Sequence, residues 1–148
     1  CGDIALQTGI AVGATAILVP EREYDLDNDV IKRMMATQKT GKKHFIVIVA
    51  EGVGHSDEIA KYIEEKTGVE TRLTVLGHVQ RGGMPTLRDR VVASAMGHKA
   101  VELLSQGIGN RVVAMTNGKI VDYDITEALN QKRVFDDQLY QIALDISI

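Results

Sequence analysis

Residues 45–50 read Phe-Ile-Val-Ile-Val-Ala, and this run decides the fold class. It is uninterrupted, apolar and rich in β-branched side chains, which is the pattern of a strand buried on both faces of a parallel sheet. A shorter apolar run at Ala16–Val19 stops at Pro20 and predicts a second buried strand. Arg72–Leu76 predicts a third strand.

Helical patterns alternate with these strands, which predicts an α/β protein with a mainly parallel sheet. The predicted helices run over 3–12, from an N-cap at Asp27 or Asn28 to Gly41, from an N-cap at Ser56 to Gly68, from Pro85 to about Ser105, over 126–130 and over 137–146. We expect the long fourth helix to bury Leu87, Val91, Ala95, Val101 and Leu104. Asn117-Gly118, between apolar segments 111–115 and 119–123, predicts a type I′ hairpin.

The composition of the 148 residues is that of a globular protein, with 45% hydrophobic and 25% charged residues. The net charge of −3 argues against a nucleic-acid-coating protein, and no apolar run approaches the ~20 residues that span a bilayer. One cysteine and four scattered histidines offer neither an internal disulfide nor a metal-ligand spacing, so we expect no metal site and a cytoplasmic location. Because the first residue is Cys1, we expect a piece of a longer chain.

The loop Gly77-His-Val-Gln-Arg-Gly-Gly83 joins the third predicted strand to the long helix. Glycines allow a ligand to approach the backbone, the following helix N-terminus favours an anion, and Arg81 offers a bidentate donor while His78 offers a further one. This pattern predicts an anion site. The alternative is a glycine-rich turn with polar side chains facing solvent.

Two further loops carry charged groups. Glu51, followed by Gly52-Val53-Gly54, stands at the carboxyl end of the strand predicted at 45–50, where a carboxylate accepts hydrogen bonds from a polyol. Stabilisation of the next helix N-terminus is the alternative. Lys39–His44 precedes a strand and therefore lies at the amino end of the sheet. The helix dipole alone explains its lysines. N-capping explains Asp27-Asn-Asp29 better than a metal site does.

Residues 72–90, Arg-Leu-Thr-Val-Leu-Gly-His-Val-Gln-Arg-Gly-Gly-Met-Pro-Thr-Leu-Arg-Asp-Arg, closely resemble the signature segment of the 6-phosphofructokinases. Further matches occur in the same order at Cys1-Gly-Asp3, Val19-Pro-Glu21, Gly41-Lys-Lys-His44 and Glu51. The resemblance covers nearly the whole chain and is to the C-terminal half of the bacterial enzyme. It implies a three-layer, Rossmann-like phosphofructokinase fold.

The resemblance implies a role for each matching residue of the substrate site. Glu51 would contact the hydroxyls of fructose 6-phosphate, and His78 and Arg81 would contact its phosphate in the same subunit. Arg72 would reach the 6-phosphate bound by a neighbouring subunit, which implies a homo-oligomer, usually a tetramer. No catalytic residue is expected in this chain.

An allosteric effector site is also implied by the resemblance. Lys42, Lys43 and His44 would bind ADP or phosphoenolpyruvate, together with Gly13 and Thr15. Bacterial members often carry a glutamate that helps to hold the effector's magnesium where this chain has Thr15. Activation by a nucleotide is therefore expected to be weak.

The family's Gly-Gly-Asp-Gly-Ser and Thr-Ile-Asp segments do not occur in this sequence. The resemblance implies that ATP, Mg²⁺ and the catalytic base belong to an N-terminal half, and that this chain alone is inactive. It also implies a sugar-phosphate domain over 1–79 and 124–148, with 80–123 returning to the nucleotide domain. The implied glycolytic reaction is transfer of the ATP γ-phosphoryl group to fructose 6-phosphate, which forms fructose 1,6-bisphosphate. The alternatives are a pyrophosphate-dependent relative and a non-catalytic sugar-phosphate-binding module.

Overall fold

The computed structural model describes residues 1–131 and 134–147 and divides into two compact units. The first unit contains residues 1–75 and 134–147, and the second contains residues 76–131. The domain prediction given above stays a prediction, and its residues 132, 133 and 148 lie outside the described residues.

A parallel pair of strands forms the centre of the first unit. β1 (Ala16–Leu18) pairs with β2 (Val47–Val49) in the register Ala16↔Val47, Ile17↔Ile48 and Leu18↔Val49. Both strands lie inside the apolar runs that predicted them, and the α/β class is therefore confirmed. Each strand is shorter than the apolar run that predicted it, and the ladder between them joins three pairs of residues.

Helices cover both faces of this strand pair. Alternate side chains of β1 point to opposite faces and are apolar, so each face packs against helices. On one face Ile17 and Val19 pack with Leu6 of α1 (Asp3–Ala11) and with Tyr140 of α6 (Asp137–Ile146). On the other face, side chains of β1 pack with α2 (Lys32–Gln38), with the π-helical turn Leu26–Ile31 that precedes it and with α3 (Ser56–Thr67); this cluster contains Ala16, Leu18, Val30, Met34, Ile59 and Ile63. The first unit thus has helices on either side of a parallel pair.

Polar contacts fix α6 against β1 and α2. The buried Tyr140 hydroxyl donates to the Ile17 carbonyl at 3.1 Å, and burial raises the pKa of this phenol. The Arg22 guanidinium lies 4.6 Å from the centre of the Tyr140 ring and donates to Asp137 at 2.8 Å. Arg33 donates to Ser147 Oγ at 2.8 Å. α6 is therefore held near both of its ends.

The second unit consists of one long helix, a hairpin and a short helix. α4 spans Leu87–Ser105, β3 (Arg111–Thr116) pairs antiparallel with β4 (Lys119–Asp124), and α5 spans Ile125–Asn130. Asn117 and Gly118 have φ angles of 51° and 76°, so the left-handed turn predicted from Asn-Gly is confirmed. No helix within the described ranges is long and apolar enough to cross a membrane.

Several helix starts differ from the prediction. Asp25 is the N-cap of the π-helical turn Leu26–Ile31 that leads into α2, and its Oδ1 accepts from the Asp27 amide at 2.9 Å. The prediction of Asp27 or Asn28 as the N-cap was therefore wrong. Ser56 is the first residue of α3 rather than its N-cap. Thr86 is the N-cap of α4, so this helix begins at Leu87 and not at Pro85. The end of α3 is confirmed, since Gly68 is left-handed at φ 68°.

The prediction of a strand at Arg72–Leu76 was wrong, because this segment forms no strand ladder in the described residues. A strand needs a neighbour for its backbone groups, and β1 and β2 pair only with each other here. The predicted burial along α4 was also wrong. α4 buries Leu103, while the residues expected in a core are exposed, namely Leu87, Val91, Ala95, Val101 and Leu104.

Candidate functional site

Glu51 stands where the sequence placed it, at the carboxyl end of β2. Residues Glu51–Val53 form a 3₁₀ turn, which the Gly54 amide closes by donating to the Glu51 carbonyl at 3.1 Å. The Glu51 side chain is exposed at this edge of the parallel pair, where ligands of α/β proteins sit. Its carboxylate is therefore available to accept hydrogen bonds from a hydroxylated ligand.

The chain leaves the Glu51 turn through two residues with left-handed backbone. Gly54 has φ 73° and His55 has φ 49°, an uncommon angle for a residue with a side chain. His55 Nδ1 lies 3.5 Å from Glu58 Oε1 in the first turn of α3. This bend brings the chain directly from the turn into α3.

Arg72 lies in the irregular segment after α3. Its Nε and a terminal nitrogen donate to Glu70 Oε1 at 3.0 and 2.8 Å. The Arg72 side chain is 84% exposed, and an ion pair this exposed contributes little free energy. Its guanidinium can therefore exchange Glu70 for a more highly charged anion.

In the second unit, His78 and Arg81 lie on the 3₁₀ turn Gly77–Arg81. Both side chains are exposed, and the backbone at Gly77 is left-handed at φ 47°. A Cβ at Gly83 would meet nothing within 4 Å, so a ligand can approach the backbone here. This local geometry is compatible with the predicted anion site and with the alternative of a glycine-rich turn whose polar side chains face solvent, so the anion site stays a prediction.

The N-terminus of α4 is less available to an anion than the sequence indicated. The Asp89 amide donates to Thr86 Oγ1 at 3.3 Å, and the Asp89 carboxylate accepts from the Thr86 hydroxyl and the Thr86 amide, both at 2.8 Å. The hydrogen bond from the Thr86 hydroxyl, followed by the one from the Thr86 amide, holds the pKa of the Asp89 carboxyl below its usual value. The helix thus carries its own carboxylate, and binding of an anion depends chiefly on Arg81 and His78.

Glu51 and Arg72 belong to the first unit, and His78 and Arg81 to the second. Within the first unit the partner of Arg72 is Glu70. The convergence of the four residues on one ligand stays a prediction.

The structure brings the two predicted effector segments to one edge of the first unit. Gly13 to Thr15 enter β1 and Lys42 to His44 lead toward β2, so both lie at the amino end of the parallel pair. The Thr15 amide donates to the Ile46 carbonyl at 2.8 Å and joins the two segments. Lys43 and His44 are exposed and Lys42 is half-buried.

Thr15 itself is fully buried, with 0% of its surface exposed. Its hydroxyl has no hydrogen-bond partner within the described part of the chain. It borders a cavity of about 10 Å³ that Tyr140, Ala143 and Ser147 also line. The Thr15 side chain therefore faces α6 rather than solvent, which leaves the basic side chains as the accessible groups of this edge.

No group of three histidine, cysteine, aspartate or glutamate side chains lies close enough to hold a metal ion in the described ranges. Asp25 and Asp29 are used in local caps, and Asp29 Oδ2 accepts from the Asp25 amide at 2.8 Å.

Sequence reasoning assigned no role to Glu21. Its carboxylate accepts from the Gly2 amide through both oxygens, at 2.9 and 3.0 Å. Nineteen positions separate the two residues, so neither helical nor strand periodicity indicates the contact. The sequence signals were the position of Glu21 just beyond a predicted buried strand and the family match at Val19-Pro-Glu21, and neither indicates a contact with Gly2.

Residues 1–104 match the family model described as Phosphofructokinase. Over 147 residues, or 99% of its length, the chain is 56% identical to proteins named ATP-dependent 6-phosphofructokinase from Clostridium botulinum (strain Hall) and from Bacillus cytotoxicus. It is 55% identical over the same length to the protein of that name from the Loch Maree strain of Clostridium botulinum. The match covers 46% of each relative, so the chain spans about half the length of the curated relatives it matches.

Proposed function

The chain belongs to the phosphofructokinase family, and from this premise we propose that it supplies the sugar-phosphate-binding part of an ATP-dependent 6-phosphofructokinase. The observation that carries the proposal is the 56% identity, over 99% of the chain, to relatives of that name. These names favour ATP over pyrophosphate as the phosphoryl donor. The complete enzyme would transfer the γ-phosphoryl group of ATP to the 1-hydroxyl of fructose 6-phosphate, a glycolytic step of the cytoplasm.

This chain would bind and orient the acceptor. Arg81 and His78 would donate to the 6-phosphate, and Glu51 would accept from sugar hydroxyls. Hydrogen bonds between arginine and phosphate are charge-assisted and bidentate, so they fix orientation as well as affinity. Orientation matters in this reaction, because phosphoryl transfer is accelerated chiefly by positioning and by charge stabilisation.

Arg72 would bind the 6-phosphate held by a neighbouring subunit of a homotetramer. Support comes from its exposure and from the weak surface pair it makes with Glu70. A residue that completes a partner's site makes substrate binding sensitive to assembly.

Magnesium and ATP would be held by the rest of the enzyme. The described residues of this chain form no cluster of three metal-ligating side chains. Bound Mg²⁺ would neutralise charge that develops on the transferred phosphoryl group.

The amino edge of the first unit would bind an anionic effector, ADP or phosphoenolpyruvate, through Lys42, Lys43 and His44, with Gly13 beside them. Thr15 provides no carboxylate for a magnesium ion, and its side chain is buried. We expect phosphoenolpyruvate, whose charge needs only the basic groups, to bind better here than a magnesium nucleotide.

Substitution of the two arginines tests the substrate assignment. Arg72→Ala and Arg81→Ala in the complete enzyme should each lower kcat/KM for fructose 6-phosphate by about 10- to 150-fold, because each removes charge-assisted bonds to phosphate. The KM for ATP should change far less. Steady-state kinetics measure both KM values. Lys61→Ala is the matched control, because Lys61 is an exposed residue of α3 that lies 3.9 Å from Glu65 Oε1 on the same helix. Unchanged kcat and KM for fructose 6-phosphate in both arginine variants would contradict the assignment.

A further inference from the structure

Glu21 ties the start of α1 to the carboxyl end of β1. The Gly2 amide, immediately before α1, donates to Glu21 Oε1 at 2.9 Å and to Oε2 at 3.0 Å. A carboxylate that accepts backbone amides at a helix N-terminus is favoured by both the charge-assisted bonds and the helix dipole. The contact therefore fixes the first turn of α1 to the segment that follows β1.

Close packing reinforces this contact. A Cβ at Gly2 would lie 2.5 Å from Val19 Cβ and 2.7 Å from Glu21 Oε2. Gly2 has φ −87°, so the reason for glycine is space and not backbone conformation. Val19 belongs to the core and cannot move aside readily. The Gly2 backbone is thus held between Val19 and Glu21.

The Glu51 turn rests on the same segment. A Cβ at Gly52 would lie 3.0 Å from Pro20 Cγ and 3.3 Å from Pro20 Cβ, so the backbone of the turn packs directly on this ring. Pro20 and Glu21 are consecutive in the chain. Pro20 contacts the Glu51 turn, and Glu21 contacts the start of α1. All of these contacts lie within the first unit, at the carboxyl edge of the strand pair.

We propose that Glu21 is a positioning residue for the sugar-phosphate site, which sets the orientation of Glu51 through Pro20 without touching the substrate. The inference rests on the proposed function, since it assumes that Glu51 binds fructose 6-phosphate. A binding group keeps its geometry only when the residues behind it are themselves fixed. Glu21 supplies that support through a bond to the backbone of another element.

Substitutions of Glu21 in the complete enzyme test the proposal. Glu21→Ala should raise the KM for fructose 6-phosphate by about 3- to 10-fold, since the charge-assisted contact with the Gly2 amide is lost and Glu51 is displaced. The KM for ATP should stay within about twofold of the original value. Glu21→Gln keeps one acceptor oxygen and should give an intermediate effect. Glu23→Ala, an exposed carboxylate two residues away, is the matched control and should change neither KM.

A double-mutant cycle separates positioning from general stability. In a Glu51→Gln background, Glu21→Ala should raise the KM for fructose 6-phosphate by less than it does alone, because its effect passes through Glu51. Full additivity, or an equal rise in the KM for ATP, would overturn the positioning role.

Arg72→Ala distinguishes failure of this inference from failure of the proposed function. If Arg72→Ala raises the KM for fructose 6-phosphate and Glu21→Ala does not, the inference is wrong and the proposed function stands. If neither Arg72→Ala nor Glu51→Gln changes the kinetics with the sugar phosphate, the proposed function is wrong, and the inference falls with it.

Discussion

At Arg72, the guanidinium is held by a carboxylate only two residues away. Glu70 Oε1 accepts from Nε at 3.0 Å and from a terminal nitrogen at 2.8 Å, while both side chains remain more than 70% exposed. Ion pairs in such solvated positions contribute about 0.2–1 kcal/mol. A phosphate dianion offers more charge and more acceptor oxygens than Glu70 does. Binding of fructose 6-phosphate by Arg72 would therefore have to displace a weak internal competitor.

Glu70→Gln should remove that competition. We expect the KM for fructose 6-phosphate in the complete enzyme to fall by about 1.4- to fivefold, which corresponds to the free energy of an exposed pair. The kcat should be unchanged. Glu65→Gln is the matched control, because Glu65 pairs with Lys61 at 3.9 Å on the surface of α3. A higher KM in Glu70→Gln would show instead that Glu70 orients Arg72 for the substrate.

Among the elements, α4 depends on a reciprocal cap. Thr86 Oγ1 accepts from the Asp89 amide, and the Asp89 carboxylate accepts from the Thr86 amide. Thr86→Ala should accelerate hydrogen exchange of the amides in the first turn of α4 by about fivefold, the usual effect of losing such a cap. Mass spectrometry of peptides covering 86–93 measures this, with exchange in α3 as the internal reference. Unchanged exchange would show that the cap does not stabilise the helix.

The same cap makes α4 sensitive to acid. Because hydrogen bonds from Thr86 lower the pKa of Asp89 in the folded state, the cap contributes its stability above the ordinary aspartate pKa of about 4. That contribution is lost as the pH falls through the lowered pKa. Asp89→Asn should remove this part of the acid dependence, and a pH titration of exchange protection compares the two proteins.

Turns and helix ends that need a positive φ were predicted well from the sequence, whereas the helix starts were not. Asn117-Gly118 specifies the hairpin because its two residues tolerate positive φ, and Gly68 ends α3 for the same reason. Arg72–Leu76 carries a strand-like pattern, but a strand also needs a partner that this pattern does not specify. The position of Glu51 followed from chain order alone. The Glu21 contact did not, because it joins elements that are distant in sequence.

In the second unit, α4 carries a face of exposed apolar side chains. Leu103 is buried, whereas Leu87, Val91 and Val101, toward the opposite side of the helix, are 80%, 60% and 66% exposed. Exposed apolar side chains grouped on one helix face are typical of a surface that another polypeptide covers. The relatives are about twice as long as this chain, and we expect their remaining polypeptide to cover this face in the complete enzyme.

The 148 residues alone are accordingly expected to show no kinase activity. Phosphoryl transfer needs a metal near the β- and γ-phosphates and a group that orients the acceptor hydroxyl. The segments to which the family resemblance assigns these two tasks, Gly-Gly-Asp-Gly-Ser and Thr-Ile-Asp, do not occur in this sequence. A coupled assay on the purified chain, made in a host that lacks its own phosphofructokinase, measures the activity. Turnover above the blank would contradict the proposed division of roles.

The proposed effector site and the proposed substrate site lie at opposite edges of the strand pair in the first unit, with Lys42 to His44 at the amino end and Glu51 at the carboxyl end. Coupling between two sites changes binding affinity and need not change the chemical step. Lys42→Ala in the complete enzyme should therefore weaken the effects of both ADP and phosphoenolpyruvate while leaving maximal activity intact. Titration of each effector at subsaturating fructose 6-phosphate measures the shift, and Lys61→Ala on α3 is again the control. Thr15 is buried and offers no ligand for a magnesium nucleotide at this edge, so activation by ADP is expected to be weak. Strong activation by ADP that persists in Lys42→Ala would therefore place the effector site elsewhere.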